Sequence, residues 1–211
     1  MIENHRTQLV EIAREVYGPE FPLINRYVDI LSSTAVDWGL LGPREAERLW
    51  DRHILNSAAL SELIPVDSAV ADVGSGAGLP GIPLAVLRRD LSMTLIEPLL
   101  RRYTFLTRTV EELGISDRVA AVRSRAEDHR QSYDIVVARA VAPLDRLIGW
   151  CNPLRAPSGA ILALKGASAE DEIAAARRQL EAAELEAEVL MVRPHQNADP
   201  ATVVRLKQEV R

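Results

Sequence analysis

The sequence predicts an α/β fold: a doubly wound, mostly parallel seven-stranded sheet that ends in an antiparallel hairpin, preceded by a helical N-terminal cap. Three observations carry that prediction. From Val66 onward, short β-rich runs alternate with helix-length segments, the pattern of parallel strands joined by crossover helices. The last two runs are joined by "RPHQNADP", too short for a helical crossover and therefore a hairpin turn. Before Pro65 the apolar residues recur at helical spacing only. The expected division is a helical cap over 1–65 and a ligand-binding α/β domain over 66–211.

The elements follow in order. In "TQLVEIAREVYG" the residues Leu9, Val10, Ile12, Ala13 and Val16 mark one face of a helix, and Gly18-Pro19 stops it. A second helix is expected through "LINRYVDILSSTAVDWGL", ending near Gly39, and a third opens at Pro43, a favourable first helical position, and runs to about Leu63. The predicted strands are "AVADV", "MTLIE", "RVAAV", "DIVVA", "AILAL", "EAEVLMV" and "TVVRL". Between the first five lie "PLAVLRRD", "LLRRYTFLTRTVEELG", a short helix near "RAEDHRQ", and "PLDRLIGWCNPL". The stretch "ASAEDEIAAARRQLEAAE" reads as one amphipathic helix with acidic residues in its first turn.

Composition narrows the function classes. A chain of 211 residues that is 47% hydrophobic buries a full core, and no apolar run approaches the roughly 20 residues needed to span a bilayer. No signal peptide precedes the first helix, so the expected location is the cytoplasm. The single cysteine, Cys151, rules out an intrachain disulfide and a multi-cysteine metal site, and no metal is expected. A net charge of −5 gives no global attraction to nucleic acid, so such binding requires a local basic patch.

The informative segment is "AVADVGSGAGLPGIPL", a glycine-rich turn directly after the first strand, where open α/β sheets bind ligands. Read as "GAGLPG" it satisfies a dinucleotide fingerprint. The strand ends at Gly74, however, so the register is Asp72 followed by Gly74, Gly76 and Gly78. A carboxylate at that place repels a pyrophosphate but attracts the ammonium and sulfonium of S-adenosylmethionine, and the glycines admit close backbone approach. Glu97, at the end of the second strand, is suited to accept bonds from both ribose hydroxyls. After the third strand, Ala126 and Glu127 in "SRAEDH" are placed to reach the adenine.

Taken together, "DVGSGAGLPGIPL", "RAED", "DIVVARAVAPL" and "ALKG", with "DRHILNS" ahead of them, resemble the bacterial ribosomal RNA small-subunit methyltransferase G family, also called glucose-inhibited division protein B. The resemblance runs from about residue 20 to the C-terminus. It implies a class I, Rossmann-like methyltransferase fold, S-adenosylmethionine as cofactor, and 7-methylguanosine formation in 16S ribosomal RNA near the decoding region. The family's cofactor contacts fall on Gly74, Leu79, Ala126, Glu127 and Arg139. Its "DRHILNS" motif, with Arg52 and His53, implies a cap helix that faces the RNA.

The residues agree with a ring-nitrogen target. After the fourth strand stands "ARAVAP", not the Asn/Asp-Pro-Pro-aromatic motif of exocyclic-amine methylation. Methylating a pyrimidine carbon needs a cysteine nucleophile, and Cys151 reads as core. Arg139, at the edge of the fourth strand, is the leading catalytic residue, suited to grip guanine acceptors or orient the cofactor. Lys165 at the matching edge of the fifth strand suggests a phosphate contact, and Arg123, Arg125, Arg101 and Arg102 offer the basic patch. Trp38, Trp50 and Trp150 read as core rather than base-stacking platforms. The expected partner is 16S ribosomal RNA or the small ribosomal subunit, naked RNA, an assembly intermediate and the finished subunit all remaining open, and the chain is expected to be a monomer. Three other readings stay open: a small-molecule methyltransferase, a nicotinamide-dependent oxidoreductase, and a noncatalytic RNA-binding module.

Overall fold

The computed structural model describes residues 2–42, 45 and 47–209. Helix α1 (Ile2–Tyr17) stops at Gly18, whose φ is +50°, and α2 (Phe21–Ile30) continues through a widened π turn over Leu31–Ala35. The widening has a local cause. Ser32 and Ser33 hydroxyls donate back to the Asp29 carbonyl at 3.1 and 2.6 Å, in competition with the helical ladder. The expected start of the third helix at Pro43 lies outside the described residues. Its remainder is helical but irregular, with π turns over Leu49–Leu55, one α turn over Asn56–Ala58 and a 3-10 end over Ala59–Leu63. Here the Ser57 hydroxyl donates to the His53 carbonyl at 2.6 Å.

The seven strands are β1 (Ala69–Val73), β2 (Ser92–Ile96), β3 (Val119–Val122), β4 (Tyr133–Arg139), β5 (Arg155–Lys165), β6 (Leu185–Val192) and β7 (Ala201–Gln208). They form one sheet in the order β3-β2-β1-β4-β5-β7-β6. The first five are parallel, and β7 runs antiparallel to both β5 and β6, so the C-terminal hairpin forms as expected. Strand order reverses between β1 and β4, which opens a crevice at their carboxyl ends, where α/β sheets take ligands.

The crossover helices are α3 (Gly81–Leu87), α4 (Leu100–Glu112), α5 (Leu144–Cys151), α6 (Ala169–Ala175) and α7 (Arg177–Ala182). Two expectations change. The segment near "RAEDHRQ" is a single 3-10 turn over Ala126–Asp128. The long acidic helix is two pieces, because the chain bends at the fully buried Ala176 and so keeps both Ala169 and Leu180 against the sheet.

Period-two alternation splits the strand side chains between two cores. Val70, Leu95, Ile135 and Val137 point toward the N-terminal helices and α3, where they meet Tyr17, Ile24 and Leu60. Ala71, Ile96, Val136 and Ala138 point toward α5, α6 and α7, packing with Leu147, Ile148 and Cys151. Cys151 is fully buried, and burial pushes its thiol up to about 12, as expected of a core residue. No helix among the described residues is long and apolar enough to cross a membrane.

Candidate functional site

The turn after β1 is shaped by glycines at positive φ: +70° at Gly74, +59° at Gly76 and +98° at Gly78. The first two present bare backbone to the crevice; a Cβ built on Gly74 would lie 2.8 Å from a Val141 methyl. Gly78 serves packing instead, since a Cβ there would meet Ile82 and lie 2.9 Å from the Tyr27 hydroxyl.

Asp72 is where the structure departs from expectation. Its carboxylate does not face the crevice: it is fully buried beneath the turn, where Oδ2 accepts a hydrogen bond from the Gly81 amide at 3.0 Å. The reason is strand periodicity, which puts Asp72 on the face of Val70, under the N-terminal helices. Burial raises its pKa from 3.8 to about 7, against the opposing pull of the Gly81 amide and the Arg139 charge. Asp72 therefore pins the start of α3, tying both ends of the glycine turn together.

Glu97 is 1% exposed, and both oxygens are engaged. Oε2 accepts from the Gly76 amide at 3.1 Å and Oε1 from the Leu99 amide at 3.0 Å, with Arg102 3.9 Å away. The glycine turn, Leu79, Glu97, and the Ala126 and Glu127 pair line one cavity of about 790 Å³ that reaches Arg139. Trp150, expected in the core, is only half-buried and also lines this cavity. Trp50, by contrast, is core, stacked on Phe21 with ring centroids 5.9 Å apart. A floor of backbone amides, a carboxylate at the rim of β2 and apolar walls suit an adenosine bearing an amino-acid tail. S-adenosylmethionine fits that donor set.

A second cleft of about 820 Å³ adjoins the first, and the wall between them is Arg139, Ala140 and Val141, which line both. Arg52, His53 and Lys165, all expected at the substrate site, line this second cleft. Arg139 donates to the Arg52 carbonyl at 3.2 Å, and burial lowers its pKa while the nearby Tyr27 and Asp72 work the other way. His53 is 5% exposed, its Nε2 is 2.9 Å from Glu45 Oε2, and burial followed by the Arg139 charge lowers its pKa to about 4, so the imidazole is neutral at physiological pH. Lys165 is not a free phosphate ligand: its Nζ donates to Glu172 at 2.7 Å and to the Ala142 carbonyl at 2.9 Å. Arg123 is exposed beyond the end of β3 and lines neither space. Arg102 and Arg125 do reach the first cavity's rim.

Comparison with known proteins identifies the lineage. Residues 20–199 match the family described as rRNA small subunit methyltransferase G. The chain belongs to that family. Its methyltransferase G relatives include the ribosomal RNA small subunit methyltransferase G of Streptomyces avermitilis, 54% identical over 173 residues that cover 81% of this chain and 72% of that protein. The methyltransferase G of Mycobacterium leprae is 52% identical over 168 residues, covering 77% of this chain and 68% of that protein. Solved structures share the fold at low identity. The ribosomal protein L11 methylase of Lactobacillus delbrueckii subsp. bulgaricus superposes with a TM-score of 0.58 at 18% identity, over 73% of this chain and 77% of that one. An O-methyltransferase of neocarzinostatin biosynthesis, solved with S-adenosyl-L-homocysteine, gives a TM-score of 0.62 at 16% identity, over 85% of this chain and 60% of that one. The class I methyltransferase fold expected from the sequence is the fold observed.

Three residues at this methyltransferase G site escaped sequence reasoning. Tyr27 of α2 is fully buried and donates to the Ala77 carbonyl at 2.7 Å, which anchors the glycine turn from the helical side. Val141 leans on Gly74. Glu172 of α6 holds Lys165. Tyr27 and Val141 act across 50 or more residues, and no local pattern marks them; Glu172 had a weak signal, an acid in the first turn of the helix that follows "ALKG".

Proposed function

We propose that this chain transfers a methyl group from S-adenosylmethionine to N7 of a guanosine in 16S ribosomal RNA near the decoding region. The observation that carries the reading is the shared wall: a single arginine, Arg139, borders both a nucleoside-sized cavity on the glycine turn and a polar cleft beside it. When bound, S-adenosylmethionine supplies an electrophilic methyl on a sulfonium. Gly74, Gly76 and Leu79 hold its backbone-facing side, Glu97 takes the ribose hydroxyls, and Ala126 with Glu127 flank the adenine.

Guanine N7 carries a lone pair and no proton, so no general base is required and the residues act by orientation. Arg139 would orient the base by donating to guanine O6, which leaves the N7 lone pair free to attack the methyl group that the bound cofactor supplies. The neutral His53 and the exposed head of Arg52 line the path by which the nucleotide enters. The helices before β1 form a cap over the RNA-facing side, and Arg101, Arg102 and Arg125 supply the local positive charge that a chain of net charge −5 needs. The enzyme works as a cytoplasmic monomer on the small subunit or one of its assembly intermediates.

The test is methyl transfer from labelled S-adenosylmethionine to small subunits and 16S RNA from a strain lacking this gene, followed by nucleoside analysis. Label recovered as 7-methylguanosine is the expected result. No label, with S-adenosylmethionine bound normally, moves the substrate to a small molecule.

A further inference from the structure

The loop between β4 and α5 is held from below by a clasp that lies outside the cofactor cavity. Ala140 sits at a φ of +52°, a conformation an alanine adopts only when its surroundings hold it there. The following residue, Val141, presses its methyls against the Gly74 backbone. At Ala142 and Leu144 the loop is gripped from β5 and α6. Lys165 Nζ donates to the Ala142 carbonyl at 2.9 Å and to Glu172 Oε2 at 2.7 Å, and the same carboxylate oxygen accepts the Leu144 amide at 3.0 Å. The lysine side chain is 9% exposed and the glutamate 24%. Both residues line the second cleft and neither lines the first cavity.

We infer that the Lys165–Glu172 pair is a positioning clasp: it holds residues 140–143 in their strained path and so sets where Arg139 and Val141 stand against the cofactor. The inference rests on the proposed placement of S-adenosylmethionine in the glycine-turn cavity. Lys165 thereby takes a role other than a phosphate contact, since its charge is paired with Glu172 and two of its three donors are held by the loop and that carboxylate. Both ends of the loop matter to binding because Val141 touches the turn on one side and borders the cleft on the other.

The clasp makes a prediction that a phosphate contact does not. Binding of S-adenosylhomocysteine in the absence of RNA falls about tenfold in Lys165→Ala and in Glu172→Ala, although neither side chain reaches that cavity. The double variant loses no more than either single one, because either change opens the same clasp. The salt dependence of RNA binding keeps its slope in Lys165→Ala. Glu172→Gln keeps an oxygen for the Leu144 amide and serves if the alanine variant unfolds; it too binds S-adenosylhomocysteine more weakly at unchanged melting temperature. The opposite pattern overturns the inference: undiminished S-adenosylhomocysteine affinity in the variants, with a shallower salt slope in Lys165→Ala alone. A wild-type chain that binds no S-adenosylhomocysteine overturns the cofactor placement itself, a result separable from failure of the clasp.

Discussion

The Glu97 carboxylate at the end of β2 and the Gly76 amide in the turn after β1 are joined by a hydrogen bond of 3.1 Å, so the acidic residue that borders the cavity also fixes its floor. Replacement by glutamine brings an amide donor toward one of two backbone donors that the carboxylate now satisfies. An unsatisfied buried donor costs about 1–3 kcal/mol. Glu97→Gln is therefore expected to bind S-adenosylhomocysteine at least tenfold more weakly and to melt several degrees lower. Calorimetry that finds wild-type affinity assigns Glu97 no part in the cavity.

At Gly74 the backbone itself is the constraint. A Cβ would lie 2.8 Å from Val141, on a residue whose φ is +70°. Gly74→Val is expected to abolish S-adenosylmethionine binding, by strain in the turn and by displacement of the loop that carries Val141. Thermal shift with and without ligand checks this: the variant should show no ligand-induced rise.

Asp72 and His53 give pH dependences of opposite sign. Asp72 titrates at about 7 when folded against 3.8 otherwise, so between those values the native state holds the extra proton and ionisation costs stability as pH rises. His53 titrates at about 4 when folded against 6.5, so there the unfolded chain holds the extra proton and stability is lost as pH falls. Relative to wild type, Asp72→Asn should gain melting temperature as pH rises from 4 to 7. His53→Asn should gain it as pH falls from 6.5 to 4. Melting curves over that range check both, and reversed signs would remove the burial assigned to either group.

Arg139→Ala is expected to lose turnover by a hundredfold or more while melting within a few degrees of wild type, since its one described side-chain hydrogen bond is a 3.2 Å contact to the Arg52 carbonyl and its ladder pairing in β4 is kept. Arg139→Lys should not restore the rate, because an ammonium on a flexible stem lacks the rigid planar guanidinium that fixes the direction of its hydrogen bond. A sharp fall in melting temperature with activity per folded molecule preserved would make the arginine structural.

Much of this architecture is written locally. Strand and helix alternation, the glycine turn, Glu97 and the short C-terminal connection are patterns within a few residues of chain, and the observed sheet follows them. What the sequence concealed is direction and partnership. Asp72 was legible in principle, because Val70 two residues earlier already points into the core. Lys165 was not, since its meaning depends on Glu172 and on a carbonyl 23 residues away. The irregular turns in the helices before β1 come from serine back-bonding near Asp29 and His53, too weak a signal against strong apolar periodicity.

The core beneath the N-terminal helices has a consequence for biosynthesis. Tyr17, Ile24 and Leu60 are buried against Val70, Leu95 and Val137, so the helices before β1 are made ahead of the surface they fold onto and wait for the central strands to follow. At about 5–20 residues per second, that leaves an apolar helical segment uncovered for several seconds of each round of synthesis. Slow translation through the first three strands lengthens that window. That core closes fully only when Leu162 and Leu164 of β5 and Val203 of β7 have joined Val70 and Val137.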